Sequence, residues 1–414
     1  MSFSTPCAST MSASADPRNF FETDASIEKR ERREVKSKNK FGNPIVLKSK
    51  ILAVINDPVS PSSSVLVAEA AGRVRRVNLE ILSQTSTVTK TYQGPKNPTS
   101  CLAVGGRQND VLYAGSWDKC IWSWNLATGQ PLTKFIGHSD FVKTILWARL
   151  GDTDILVSGG ADKKIMVWDA NTGTRLHTIQ DPKTSMLALQ HLALDPKLST
   201  AEEVIVVSAS SDPHIRRWRI KKDSYEQLSE IHPDAPGSER PTIQEHDTSV
   251  YKLVFEADTE DCDLWTASAD GTAKCLSRAR HFTTEDEYAH GDYLRGVVTT
   301  DTWVVTAGRD EYVKVWDRAS GNLYCALEGH YDEITDLVLL PDPRGIHHRV
   351  CSVSIDGTIR TWPLMKEQLD NVVEEIKKAN SEPAEEEKEK NGTNGAGVMT
   401  AEEEAELAGL MEDD

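Results

Sequence analysis

From residue 44 to residue 365 the chain consists of short runs in which apolar and polar residues alternate, separated by turns rich in Asp, Gly and Pro. A period of two sets one side of each run against a core and the other against solvent, which predicts an all-β fold. The strands fall into units of about four, and one such sheet cannot bury both of its faces by itself. Stacked neighbouring sheets can.

The units share a pattern: a Ser or Thr, three residues, an Asp, five residues, then an aromatic residue closing a β-like run. Complete copies are Ser158, Asp162 and Trp168 in SGGADKKIMVW; Ser208, Asp212 and Trp218 in SASSDPHIRRW; Thr306, Asp310 and Trp316 in TAGRDEYVKVW; and Ser352, Asp356 and Trp362 in SVSIDGTIRTW. AGSWDKCIWSW keeps Asp118 and Trp124 but has Ala114 in place of the hydroxyl, and TASADGTAKCL keeps Thr266 and Asp270 but ends on Leu276. AAGRVRRV, with Ala71 and Val77 at the matching places, is a degenerate seventh copy.

Upstream of several copies, after or near a Gly, stand His138, His246, His290 and His330. With the closing VWDANTG and VWDRASG, and 40 to 58 residues between successive turn Asp residues, the pattern resembles WD40 repeats. The resemblance implies a seven-bladed β-propeller. It also implies structural tetrads that link imidazole, hydroxyl, carboxylate and indole N–H: His138, Ser158, Asp162 and Trp168; His290, Thr306, Asp310 and Trp316; His330, Ser352, Asp356 and Trp362. We read these as stability devices, since a buried polar group left unpaired costs about 1–3 kcal/mol.

Blades are expected to begin near residues 50, 98, 138, 184, 246, 290 and 330. The last supplies three strands, ITDLVLLP, HRVCSV and GTIRTWPL, so NPIVLK at 43–48 is expected to lend the fourth and close the ring. Four regions follow: a disordered, partly basic arm at 1–42, the propeller at 43–365, a short amphipathic helix at 366–380, and an acidic flexible tail at 381–414. In the helix, Leu369, Val372, Val373 and Ile376 share one side and are expected to pack on the chain's own domain. In the tail, Thr400 and Glu403 form a capping box for a terminal helix. HPDAPGSERPT at 232–242 reads as a surface loop that suits no strand.

Charge refines this outline. Of the net −17, most belongs to residues 366–414, which hold 16 acidic against 5 basic side chains. Residues 26–40 hold 7 basic and 3 acidic side chains, a solvated and partly helical arm, with a nuclear import signal or a nucleic-acid contact as alternatives. No apolar run matches a secretory signal or a membrane span, and the 7 cysteines are scattered without paired spacing. The expected compartment is therefore reducing, cytosol or nucleus.

No nucleophile elbow, HExxH, paired Cys/His spacing or phosphate loop is present, and His347 and His348 have no further ligand at metal spacing. The expectation is a non-catalytic scaffold without cofactor or metal, binding a protein partner as one propeller within a larger complex; nucleic acid is disfavoured. By the resemblance, one face is lined by the residues before the turn Asp and those after the Gly-His. These include Trp117, Ser211, Arg309 and Ile355, with Phe141, Ser249, Tyr293, Tyr331 and Glu333. Aromatic and Arg side chains dominate binding hot spots. Three alternatives stand beside this. A substrate receptor of a ubiquitin ligase is one, although Trp316-Asp317-Arg318 places its Arg one position early for the W-D-x-R adaptor signature. A chaperone or reader of a basic protein, such as a histone or ribosomal protein, would suit the 42 acids and 34 bases of residues 41–365. A propeller enzyme is the remote third.

Overall fold

Each alternating run pairs antiparallel with the next in sequence, because the tight Asp and Gly turns leave no length for a crossover. In the computed structural model, which describes residues 24–381 apart from stretches at 81–86, 182–184, 233–234, 236, 257–258 and 342–347, the runs form seven four-stranded sheets. Blades 1 to 6 span residues 51–92, 99–136, 142–179, 189–228, 250–289 and 294–327. Blade 7 takes 334–363 and adds Ile45–Val46 as its outer strand. The first strands of neighbouring blades touch all the way round, including blade 7 against blade 1. The chain is thus a seven-bladed β-propeller.

Sequence explains each strand's depth. Second strands such as Val204–Ser210 and Trp303–Gly308 are buried along their whole length and read as nearly unbroken apolar runs. Fourth strands such as Arg175–Ile179 and Thr283–Ala289 are mostly polar and exposed. The core lies between blades: Ile155, Val157 and Val167 of blade 3 pack with Leu192, Val206 and Trp218 of blade 4, and comparable clusters join the other neighbours.

The N-terminal strand closes the ring. Ile45 pairs with Ile359, and Leu47 N donates to Gly357 O at 2.8 Å. Ile45 and Leu47 are buried with Leu340, Val353 and Val65, between blades 7 and 1. Burying an aliphatic side chain contributes about 1.5–3 kcal/mol, so this strand is a substantial closing element.

Two expectations change. Residues 26–40, read as a solvated and partly helical arm, do carry a helix, α1 (Asp24–Ser37), but it is paired with the propeller rather than free in solvent. The helix has no apolar stripe, so periodicity gives no sign of it; opposite charge holds it instead. Lys36 Nζ lies 2.9 Å from Glu311, Arg32 lies 3.0 Å from the same carboxylate, and Arg33 pairs with Asp332. Residues 1–23 lie outside the described residues. The second change is in the insert at 232–242, where Glu239–Arg240 pairs with Glu230–Ile231 as a short hairpin. Arg240 bonds Glu245 at 3.0 Å, Arg217 pairs with Glu230, and Ile243 is buried and bridges to Ile215. These contacts stabilise strand geometry that the local composition opposes.

The chain divides into two units, Met1–Leu369 and Asp370–Asp414. Helix α2 (Lys366–Ser381) begins in the first, where Leu369 is fully buried and Trp303 Nε1 donates to Leu364 O at 2.9 Å. The second unit is described only over the remainder of α2. The acidic tail at 382–414, with its capping box, lies outside the described residues, as does His347. Among the described residues no helix is long and apolar enough to cross a membrane.

Candidate partner-binding face

The turn Asp residues organise one end of the propeller. In blade 7, His330 Nδ1 lies 3.0 Å from Asp356, His330 Nε2 lies 2.8 Å from Ser352 Oγ, and Trp362 Nε1 donates to that hydroxyl at 2.9 Å. Burial draws the His330 imidazole below its usual range, against the pull of Asp356. The neutral ring therefore donates from Nδ1 to the carboxylate and accepts from Ser352 at Nε2, so every buried polar atom of the tetrad is satisfied. Burial opposes ionisation of Asp356, but bonds from His330 and Thr358 outweigh it and hold the carboxyl below its ordinary range.

Residues His138, Ser158, Asp162 and Trp168 repeat the arrangement with contacts of 2.8–3.0 Å. His290 uses its ring the other way round, with Nδ1 on Thr306 and Nε2 on Asp310, both at 2.9 Å, while Trp316 Nε1 reaches Thr306 at 2.8 Å. His246 joins Asp270 and Thr266 at 2.8 and 2.7 Å, with no indole to follow.

Blades 2 and 4 depart from this in ways the repeat pattern hides. In blade 2 the indole that bonds Asp118 belongs to Trp122, at 2.8 Å, while Trp124 donates to Gln93 O. In blade 4, among the described residues, no imidazole bonds Ser208 or Asp212, and fully buried Arg216 takes that place: it bonds Asp181 at 2.6 Å, Asp212 at 3.0 Å and Ser210 at 3.0 Å. A buried cation between two carboxylates replaces a neutral imidazole, and Trp218 still donates to Ser208 at 2.8 Å.

The Asp carboxylates also accept the backbone N–H two residues on, at 2.9 Å for Thr272 and 3.1 Å for Tyr312. That closes a turn whose next residue is left-handed, at Lys119, Lys163, Gly271, Glu311 and Gly357. Only the two glycines adopt it without Cβ strain.

These turns bring together the two sets of face residues. The residue before the Asp donates its N–H to the carbonyl of the residue after the His loop: Ala161 to Phe141 at 2.8 Å, Arg309 to Tyr293 and Ala269 to Ser249 at 2.9 Å, and Ile355 to Glu333 at 3.1 Å. Ser211 bonds Ala188 O in the same way. Trp117 and Phe141 stack with ring centroids 4.9 Å apart and remain 40% and 38% exposed. Arg309 lies over the ring of Tyr293, itself 46% exposed, at 5.2 Å. Three of the other positions are tied to neighbouring groups. The Tyr331 hydroxyl donates to Asp356 O, Ser211 accepts from Gln190, and Glu333 pairs with Arg295 at 2.5 Å.

A further set of residues lies at the centre. Each of the seven innermost strands carries a register shift one residue after it begins. The skipped residues are Leu52, Ser100, Lys143, Gln190, Tyr251, Arg295 and Thr335, and all of them line a cavity of about 330 Å³ at the channel mouth, with Trp117 and Ile355 on its rim. A bulge re-aims a side chain out of the pleat, and here it does so once per blade. Sequence reasoning missed this ring, yet it left a signal: a Lys or Arg inside an otherwise apolar innermost strand, two positions after an aromatic face residue, as in Phe141 and Lys143 or Tyr293 and Arg295.

Comparison with known proteins follows the same repeats. The family described as WD domain, G-beta repeat matches residues 129–169, 285–317 and 321–363. An uncharacterized WD repeat-containing protein of Schizosaccharomyces pombe is 31% identical over 360 residues, covering 84% of this chain and 89% of the relative. The small ribosomal subunit protein RACK1 of Caenorhabditis elegans is 35% identical over 72 residues, 17% of this chain and 22% of that protein. Propeller closure, tetrads and a relative similar along nearly its whole length lead to one conclusion: the chain belongs to the WD-repeat family.

Proposed function

We propose that this propeller is a non-catalytic protein-interaction scaffold that captures a peptide or protein partner on the face built by its Asp turns. The observation that carries the reading is the pair of exposed aromatic contacts there, Trp117 on Phe141 and Arg309 on Tyr293. Rigid rings and guanidinium groups held in place before binding lose little entropy on contact, which is why they dominate interface hot spots. The backbone beneath both pairs is fixed by the repeated bond described above.

The test is quantitative mass spectrometry of proteins co-purifying with the full chain, wild type against Trp117→Ala/Arg309→Glu, with matched circular dichroism to establish folding. Loss of a defined partner set supports the reading. Identical partner sets would refute it.

A further inference from the structure

Resting on that reading, we infer that the channel mouth accepts an acidic side chain, an Asp or Glu flanked by apolar residues, presented by the partner to Lys143. Four observations support this. The first is the imbalance of charge in the cavity wall. Arg295 is paired with Glu333 at 2.5 Å and lies over Tyr251 at 4.1 Å, and Lys252 is paired with Asp336 at 2.7 Å. Lys143 is bonded to the neutral amide oxygen of Gln190 at 2.9 Å, and among the described residues no carboxylate pairs with it.

The second is burial. Lys143 is one of the bulge residues aimed into the mouth, and loss of hydration, followed by the nearby charge of Arg295, lowers its pKa. An incoming carboxylate would relieve both effects.

A third is the neighbouring wall. His191 lines the same cavity, burial holds its ring neutral, and its Nδ1 has no hydrogen-bond partner among the described residues. That atom is shielded from solvent, so the ring adds a neutral wall to the cavity and leaves Lys143 as the cation that a carboxylate would meet.

The fourth is what surrounds the mouth. Two of the acidic groups near this face, Glu311 and Asp332, are already paired with Arg32, Lys36 and Arg33 of α1. Trp117 and Ile355 give the rim apolar surface, which selects for apolar neighbours next to the acid.

The experiment pans a phage-displayed random dodecapeptide library against the full chain, then measures Kd for the enriched peptides as synthetic, C-terminally amidated forms. The expected consensus contains one Asp or Glu beside an aromatic or aliphatic residue. Exchanging that acid for its amide, or Lys143→Gln in the protein, should weaken binding about tenfold to hundredfold, the usual worth of a charge-assisted hydrogen bond. Combining the two changes should cost little more than either alone, and Lys143→Arg should retain binding. Unchanged melting of Lys143→Gln shows that folding is not at issue.

Peptides enriched in Lys or Arg, capture that depends on a free C-terminal carboxylate, absence of any enrichment, or affinities indifferent to Lys143→Gln would each overturn the inference. If peptides are lost with Trp117→Ala/Arg309→Glu but not with Lys143→Gln, the binding face stands and the acid pocket falls. Peptides indifferent to both variants remove the face reading as well.

Discussion

Replacing Ser352 with Ala probes whether the tetrads act as coupled networks. The hydroxyl is fully buried and sits between two partners, 2.8 Å from His330 Nε2 and 2.9 Å from Trp362 Nε1. Ser352→Ala opens almost no cavity, yet it strips both buried groups of their partner where water cannot replace it. At about 1–3 kcal/mol for each of the two unsatisfied groups, the expected loss is about 2–6 kcal/mol. The assay is reversible urea unfolding followed by far-UV circular dichroism, read as a midpoint shift at constant slope. Exposed Thr172→Ala serves as the control and should stay within about 0.5 kcal/mol of wild type. A cycle with Trp362→Phe sharpens the test. The phenyl ring has no donor to leave unpaired, so the double variant should be more stable than the sum of single losses predicts, by about 1 kcal/mol or more. Additivity within about 0.5 kcal/mol, or a Ser352→Ala cost no larger than the control, would refute the network argument.

Other predictions follow from the same geometry. Burial opposes ionisation of Asp162, Asp310 and Asp356, but bonds from their His partners together with neighbouring N–H, hydroxyl or ammonium donors outweigh it and hold all three below the usual carboxylate range. Their contribution to stability is therefore complete above the unfolded value of about 3.9 and is lost as pH falls below it; urea midpoints should drop as pH falls from about 4 to about 2, and less steeply in Asp356→Asn. Arg33→Glu/Lys36→Glu should release α1, raising the rate of limited proteolysis within residues 24–40 while the propeller midpoint moves by less than about 1 kcal/mol; equal proteolysis rates would show that these pairs do not hold the helix. Deleting residues 1–48 removes the pairing strand of blade 7 and strips Ile45 and Leu47 from the closure cluster, so light scattering should show aggregation that deletion of residues 1–37 does not cause. A stable monomer with an unchanged midpoint would mean that the ring closes without this strand.

Much of the architecture was legible in the chain because the relevant interactions repeat locally. Alternation, turn Asp residues and a missing fourth strand in the last unit identify blades, their order and the closing segment. The positions of Trp117, Phe141, Tyr293 and Arg309 beside the Asp turns were readable for the same reason, since their backbone is set by turns a few residues long. Arg216 was not. Its role depends on Asp181 and Asp212, 35 and 4 residues away, meeting in a buried space that no repeat describes. Helix α1 was not readable as a docked element either, because its partners Glu311 and Asp332 lie nearly 300 residues further along. The hairpin at Glu230–Ile231 and Glu239–Arg240 forms in a segment whose composition favours a loop, where contacts with Ile215 and Glu245 override local preference.

The one-dimensional sequence thus determined what depends on periodicity: strand type, blade count, tetrad positions and the order of closure. The third dimension decided where charge ends up. Lys143 and Arg295 look alike as cations in apolar strands, and only the ring geometry gives Arg295 a carboxylate and leaves Lys143 facing the channel with an amide. A strand's period fixes the side to which a residue points, but a bulge resets that period, and its consequence depends on six other strands meeting at the same axis.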